Sequence, residues 1–242
     1  MTERRQRDAG GQVIPALRGV TVHVARGEFV AVVGSSGSGK STLLHLLGGL
    51  DRPTKGTVVV DGVTLGGLSE RALTEFRSKR IGFVFQFFNL VRSLTVYENV
   101  ALPFIVGDRT AKQDQDRVSD MLELFGLRGR ADRHPANLSA GEQQRVAIAR
   151  AFVTEPAIVI ADEPTGNVDP VTGTEILQLL WESCDNFGQT VVLATHDPQV
   201  AAFADRVLFI KDGLLAEELT LGRRDDHRDA GLVLDRLRRL SL

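Results

Sequence analysis

Apolar positions in the first third of the chain fall into short blocks. "VTVHV", Val20 to Val24, alternates with period two as a strand with one wet face does, and "EFVAVVG" is a continuous apolar run closed by glycine, as a buried strand is. The helical pattern "KSTLLHLLGGL" follows and closes at Gly48-Gly49, and "GTVVVDG" reads as a short strand entering a tight turn. "SERALTEFRSKR" is helical and "IGFVFQ" is another buried strand. From Phe87 to about Thr154 helical patterns take over, among them "AKQDQDRVSDMLELFGL" with apolar Val118, Met121, Leu122 and Phe125. Strands return as "AIVIADEP", "QTVVLATH" and "RVLFIKDG", separated by helices such as "TGTEILQLLWESC". The alternation predicts an α/β fold: a parallel sheet covered on both faces, ligands at the carboxyl ends of the strands, and a helical lobe inserted into it. The tail from Leu221, "LGRRDDHRDAGLVLDRLRRLSL", is expected to be a solvated charged end closing in a short amphipathic helix.

Composition narrows the classes without choosing among them. With 242 residues and 43% hydrophobic content the chain buries a sizeable core, which excludes disorder as its main state. Lys+Arg 29 against Asp+Glu 31 leaves net charge -2, so no global field attracts nucleic acid or an anionic membrane. Cys184 is the only cysteine, has no partner thiol, and is expected to be packing in a reducing compartment. "MTERRQRDAGGQ" carries no apolar core behind its arginines, and no run approaches the roughly 18 apolar residues of a membrane span. The expectation is a chain neither exported by a signal peptide nor spanning a membrane by itself.

Candidate chemistry begins at "GSSGSGKST", the pattern of a phosphate-binding loop between a strand and a helix. Gly34, Ser35, Ser36, Gly37, Ser38, Gly39, Lys40, Ser41 and Thr42 are the residues set against the phosphates. Glycines let the backbone curl so that its N–H groups face the β-phosphate, and the helix that follows adds its positive end. Lys40 neutralises charge on the β and γ phosphates, and Ser41 offers its hydroxyl to Mg²⁺. The strand "AIVIADEP" ends in adjacent acids whose side chains point to opposite sides. Asp162 suits the Mg²⁺ shell, and Glu163 suits the polarisation of an attacking water.

"LSAGEQQR", Leu138 to Arg145, is a second glycine-bearing helix start about a hundred residues further on. Locally it predicts an N-cap at Ser139 with Glu142 in a capping box. Ser139 and the N–H groups near Gly141 also suit a γ-phosphate, which has a use if that phosphate belongs to a second copy of the chain. Two copies, head to tail and two-fold symmetric, would sandwich two ATP molecules.

With these motifs in place the chain resembles the ATP-binding subunits of ABC transporters over nearly its full length. "GSSGSGKST" is similar to their Walker A, "IVIADE" to their Walker B, "LSAGEQQR" to their signature, and Gln86 to their Q-loop; "NVD" with Asp169 resembles the D-loop, and His196 in "ATHD" the switch histidine. The resemblance implies the phosphate-loop ABC ATPase fold, with a mostly parallel sheet core, an antiparallel β part and an inserted helical subdomain. It implies a nucleotide-binding core at residues 1–86 and 155–220, a helical signature subdomain at 87–154 and a charged tail at 221–242. It further implies that Gln86 contacts Mg²⁺ and the lytic water and couples to the membrane subunit, that His196 grips the γ-phosphate, and that Asp169 links the two sites. ATP and Mg²⁺ are then the cofactors. The implied partners are a second copy of the chain and an integral membrane permease, with no nucleic acid. The implied location is cytoplasmic, on the inner face of the cell membrane through the permease.

"LLHLLGGLDRPTKGTVVVDG", "IGFVFQFFNLVRSLTVYENVALP" and "DEPTGNVD" resemble the bacterial branch that holds lipoprotein-releasing and macrolide-exporting ATPases. A regulatory ATPase that signals through a membrane partner without transport, as in division-linked members of the branch, uses the same residues and stays open as an alternative. Soluble ABC proteins predict tandem ATPase domains or a long coiled-coil insertion, and neither pattern is present. Two departures stand out. The family's first strand and its adenine-stacking aromatic are not evident: no aromatic precedes Phe29, and Arg7 to Gly10 lies about where that residue should be. Either the true start is upstream, or adenine packs weakly or against an arginine plane. ATP and GTP are then expected to be hydrolysed at more similar rates than in an aromatic-bearing relative, and a strong ATP preference in a phosphate-release assay would contradict that. Ala140 stands where glycine is usual, a change small enough to be tolerated.

Overall fold

The computed structural model describes residues 2–7, 13–107, 112–222 and 230–242. In chain order the elements are β1 (Thr2–Arg7), β2 (Val13–Val20), β3 (Phe29–Val33), α1 (Lys40–Leu47), β4 (Val59–Val60), β5 (Val63–Thr64), α2 (Glu70–Arg80), β6 (Ile81–Phe85), α3 (Val96–Val106), α4 (Lys112–Leu124), α5 (Ala140–Phe152), β7 (Ile158–Asp162), α6 (Pro170–Phe187), β8 (Thr190–Thr195), α7 (Pro198–Ala201), β9 (Arg206–Lys211), β10 (Leu214–Thr220) and α8 (Ala230–Leu240). They fold as two compact units, Met1–Ser69 with Thr190–Leu242, and Glu70–Gln189.

In the first unit β3 is the central strand, with all five residues buried, which is why it reads as an unbroken apolar run. It pairs in parallel with β8 on one side, Phe29 opposite Val191 through Val33 opposite Thr195, and with β9 on the other. β10 closes that side antiparallel to β9, and its burial alternates as an edge strand's does. A separate antiparallel ladder joins β1 to β2. β1 corrects the expectation that the family's first strand is missing. "TERRQR" has no apolar alternation, so its pattern hides a strand. Its pairing with β2, the Glu3 N–H donated to Lys55 O at 3.0 Å and the Arg4–Asp51 ion pair at 2.7 Å hold it in place.

"VTVHV" is a second correction, since the strand ends at Val20 rather than running to Val24. The exposure of residues 21–25 still alternates, but Arg206 takes the His23 carbonyl at 2.6 Å, and Glu28 ties residues 25–28 into a turn through the Ala25 N–H at 2.7 Å. The tail closes in the short amphipathic helix expected of it. Helix α8 buries Val233 and Leu237, lies against α7, and has its last carbonyls capped by Lys211 Nζ, 2.5 Å from Leu240 O.

The second unit pairs β6 in parallel with β7, from Ile81 opposite Ile158 to Phe85 opposite Asp162. Helix α5 packs on β6 and on α3, and buries Val146, Ile148 and Phe152. Gly82 makes that approach possible, because a Cβ there would lie 2.3 Å from Ala151 O. Val118, Met121, Leu122 and Phe125 are all buried, as the spacing in α4 predicts. Cys184 is also buried, its thiol donating to Gln189 O at 2.7 Å. Among the described residues no helix is long and apolar enough to cross a membrane.

Candidate functional site

The loop between β3 and α1 is curled by its glycines. Gly37 and Gly39 have φ of 78° and 110°, and a Cβ on Gly34 would sit 2.3 Å from Ile210 O, so side chains are excluded where the loop doubles back. Lys40 reaches back over the loop, donating from Nζ to Gly34 O at 2.8 Å and Ser35 O at 3.0 Å. Ser35, Ser36, Gly37 and Ser41 are exposed, Thr42 is half-buried, and the Ser38 hydroxyl is buried with no hydrogen-bond partner among the described residues. The N-cap of α1 is Gly39 in a left-handed conformation. No side chain caps the helix and no acid stands in its first turn. Neither a capping side chain nor an acid therefore offsets the positive end of the helix, as an anion site requires.

His196 follows β8 directly and is exposed. Because Val33 is opposite Thr195 in parallel register, Gly34 and His196 leave the carboxyl edge of neighbouring strands side by side. The second unit repeats the device. Phe85 is opposite Asp162, so Gln86 and Glu163 leave β6 and β7 side by side. Glu163 has φ 46°, a left-handed conformation that costs a non-glycine residue about 1–2 kcal/mol. The alternation of side chains along the strand therefore stops at Asp162, and Glu163 is aimed by a turn, closed where the Gly166 N–H meets Glu163 O at 3.1 Å. Asn167 Nδ2 donates to Gln86 O at 2.7 Å, and a Cβ on Gly166 would come within 2.9 Å of Gln86 Nε2. The segment leading to Asp169 thus lies against Gln86.

Asp169 caps α6, accepting from the Thr172 N–H at 3.0 Å and the Thr172 hydroxyl at 2.6 Å, and these bonds hold its carboxyl below the ordinary range. At α5 the capping box is complete. Ser139 Oγ accepts from the Glu142 N–H at 3.2 Å, and Glu142 Oε2 accepts from the Ser139 N–H at 2.8 Å. The Ser139 N–H and then Arg130, at 2.8 Å, keep the Glu142 carboxyl below its usual range. Ser139 is exposed, and a Cβ on Gly141 would lie 2.5 Å from Thr172 Cγ2. The starts of α5 and α6 therefore approach closely at Gly141 and Thr172, leaving no room for a side chain at position 141.

The first unit brings the phosphate loop and His196 together; the second brings together Gln86, Asp162, Glu163 and the Asp169 segment, with Gly141 close to Thr172. Residues 8–10, near the expected adenine contact, lie outside the described residues, as does the side chain of Arg7. Sequence reasoning missed Thr172, Asn99 and Arg150. A cation inside the apolar run "VAIARAF" was the one available signal for the last of these.

Comparison with known proteins gives a consistent picture. A family model described as ABC transporter matches residues 17–166. The lipoprotein-releasing system ATP-binding protein LolD of Bordetella pertussis is 49% identical over 208 residues, 86% of this chain and 90% of that one. The macrolide export ATP-binding/permease protein MacB of Rhodopirellula baltica is 46% identical over 218 residues, covering 89% of this chain and 32% of that protein. A dimeric ATP-binding cassette in a post-hydrolysis state, bound to ADP and Pi, superposes with TM-score 0.82 at 42% identity, covering 91% of this chain and 96% of the other.

Proposed function

The chain belongs to the ABC transporter family as an ATP-binding subunit, and from that premise we propose that two copies close head to tail around two ATP molecules to drive a membrane permease. The observation that carries the reading is the start of α1, with its curled glycine loop, Lys40, a glycine N-cap and no acid in the first turn. The loop from Gly34 to Thr42 takes the phosphates, and Lys40 exchanges its two carbonyl partners for phosphate oxygens. Ser41, Gln86 and Asp162 offer hard oxygen donors, few in number, which suits a Mg²⁺ that keeps most of its waters. When bound, the ion offsets charge on the β and γ phosphates. Glu163 accepts the proton of the attacking water, and His196 holds the γ-phosphate. Ser139 and the N–H groups near Gly141 meet the γ-phosphate of the other copy, and Asp169 links the sites. The geometry of Ser139 supports this: its oxygen accepts within the cap, so its hydroxyl proton remains to be donated outward.

The nucleotide-binding core at 1–86 and 155–220 and the helical signature subdomain at 87–154 are part of this proposal. In the second unit the apolar side chains of Phe87, Ile105 and Val106 are 72%, 54% and 60% exposed, and these are groups that a permease helix would cover. The names of the relatives favour export or lipoprotein release, with the chain held at the inner face of the membrane by its permease. The test is phosphate release from Mg-ATP by the chain alone and co-expressed with a permease of the lipoprotein-releasing or macrolide-exporting type. Turnover stimulated by the permease is expected; ATP binding without turnover in either preparation contradicts the proposal.

A further inference from the structure

Arg150 takes no part in the phosphate chemistry, yet its guanidinium is set among buried residues of α5. It sits near the end of α5 between buried Ala149 and Ala151, and burial pushes its guanidinium down to about 10. Among the described residues it forms no ion pair. Nη1 donates to Asn89 O at 2.7 Å and Nη2 to Phe88 O at 2.8 Å. Phe88 and Asn89 have φ of 62° and 49°. Two successive left-handed residues turn their carbonyls to the same side, as one step of a left-handed helix does, and a planar guanidinium fork spans both where a point-charge ammonium would reach one. The far half of the same loop is stitched to α3. Asn99, fully buried, accepts the Val91 N–H at 2.8 Å and donates to Val91 O, Leu94 O and Thr95 O. At the near end of this braced segment stand Gln86 and the exposed Phe87.

We infer that Arg150 is a positioning residue that couples α5 to the loop carrying Gln86 and Phe87, so that a phosphate arriving at Ser139 is registered at that loop. Helix α5 runs about 16 Å from Ser139 to Arg150 as a stiff lever, and the guanidinium is its attachment to the loop. The inference rests on the reading of Ser139 as a phosphate donor toward a second copy. Linkage then makes the effect reciprocal: whatever grips Phe87 also changes how readily the α5 N-terminus accepts its phosphate.

The test is hydrogen exchange of the full chain carrying Glu163→Gln, with and without Mg-ATP, alone and combined with Arg150→Met or Arg150→Lys. In the parent, Mg-ATP is expected to slow exchange about tenfold at residues 139–143 and at 87–94. Arg150→Met keeps the slowing at 139–143 and loses it at 87–94. Arg150→Lys, which keeps the charge and stem and so protects the fold, retains part of it. Slowing at 87–94 that is indifferent to both substitutions overturns the inference alone. No slowing at 139–143 in the parent overturns the reading of Ser139, and the inference with it.

Discussion

The starts of α1 and α5 are made of similar residues and do opposite things with their backbone donors. At α1 the N-cap is a glycine, which offers no capping side chain, and no acid stands in the first turn, so neither offsets the positive end of the helix. At α5 two donors are already satisfied within the chain, by Ser139 Oγ and by the Glu142 carboxylate, with Arg130 on the other carboxylate oxygen. A helix start that is uncompensated binds an anion by itself. One that is capped holds its own shape and contributes a hydroxyl proton and the remaining N–H groups to an anion brought by something else. On the proposed function the difference would account for two phosphate-facing sites in one chain: the first would bind within the chain, and the second would be kept rigid for use across a pair.

Substitutions can break that contrast, and the largest effect falls on α1. Lys40→Ala is expected to lower phosphate release at saturating Mg-ATP by about 10²-fold or more, as loss of a charged donor to the reacting phosphate does. Gly141→Ala comes next. The new methyl displaces Thr172, whose hydroxyl is tied to Asp169, at a cost of about 1–3 kcal/mol read as a lowered Tm. ATP binding by the single chain is unchanged while ATP-dependent association is lost. Ser139→Asp and Ser139→Ala sharpen the comparison further. Aspartate keeps the cap and Tm but repels phosphate, so it abolishes association. Alanine loses the cap, about 1 kcal/mol, and lowers Tm by about 2–4 °C.

The smallest effect is one of pH. Glu142 has a carboxyl lowered from 4.5, first by the Ser139 N–H and then by Arg130. A depressed acid contributes stability above its unfolded value and loses it as pH falls through the folded one, so the start of α5 frays below about pH 4.5. The start of α1, with no acid in its first turn, has no such step. Amide exchange at residues 139–143 and 39–43 on lowering pH distinguishes the two.

Local chemistry was legible where residues act on their own neighbours. The loop from Gly34 to Thr42 and the Ser139–Glu142 box both appear in the sequence because glycine conformations and capping are short-range. What the pattern hid depends on distant partners. "TERRQR" is a strand because β2 and Lys55 pair with it. "VTVHV" stops short because Arg206 claims the His23 carbonyl. The setting of Glu163 came from a left-handed turn that strand alternation does not foresee. Arg150 and Asn99 looked like ordinary helix positions, since their partners are main-chain atoms of a loop that carries no pattern of its own.

The central claim, that the start of α5 serves a second copy, is tested most directly by the solution mass of the Glu163→Gln variant with and without Mg-ATP. The account predicts a monomer without nucleotide, a dimer with it, and a monomer again when Ser139→Asp is added. A chain that binds ATP measurably yet stays monomeric, or a dimer indifferent to Ser139→Asp, would contradict it.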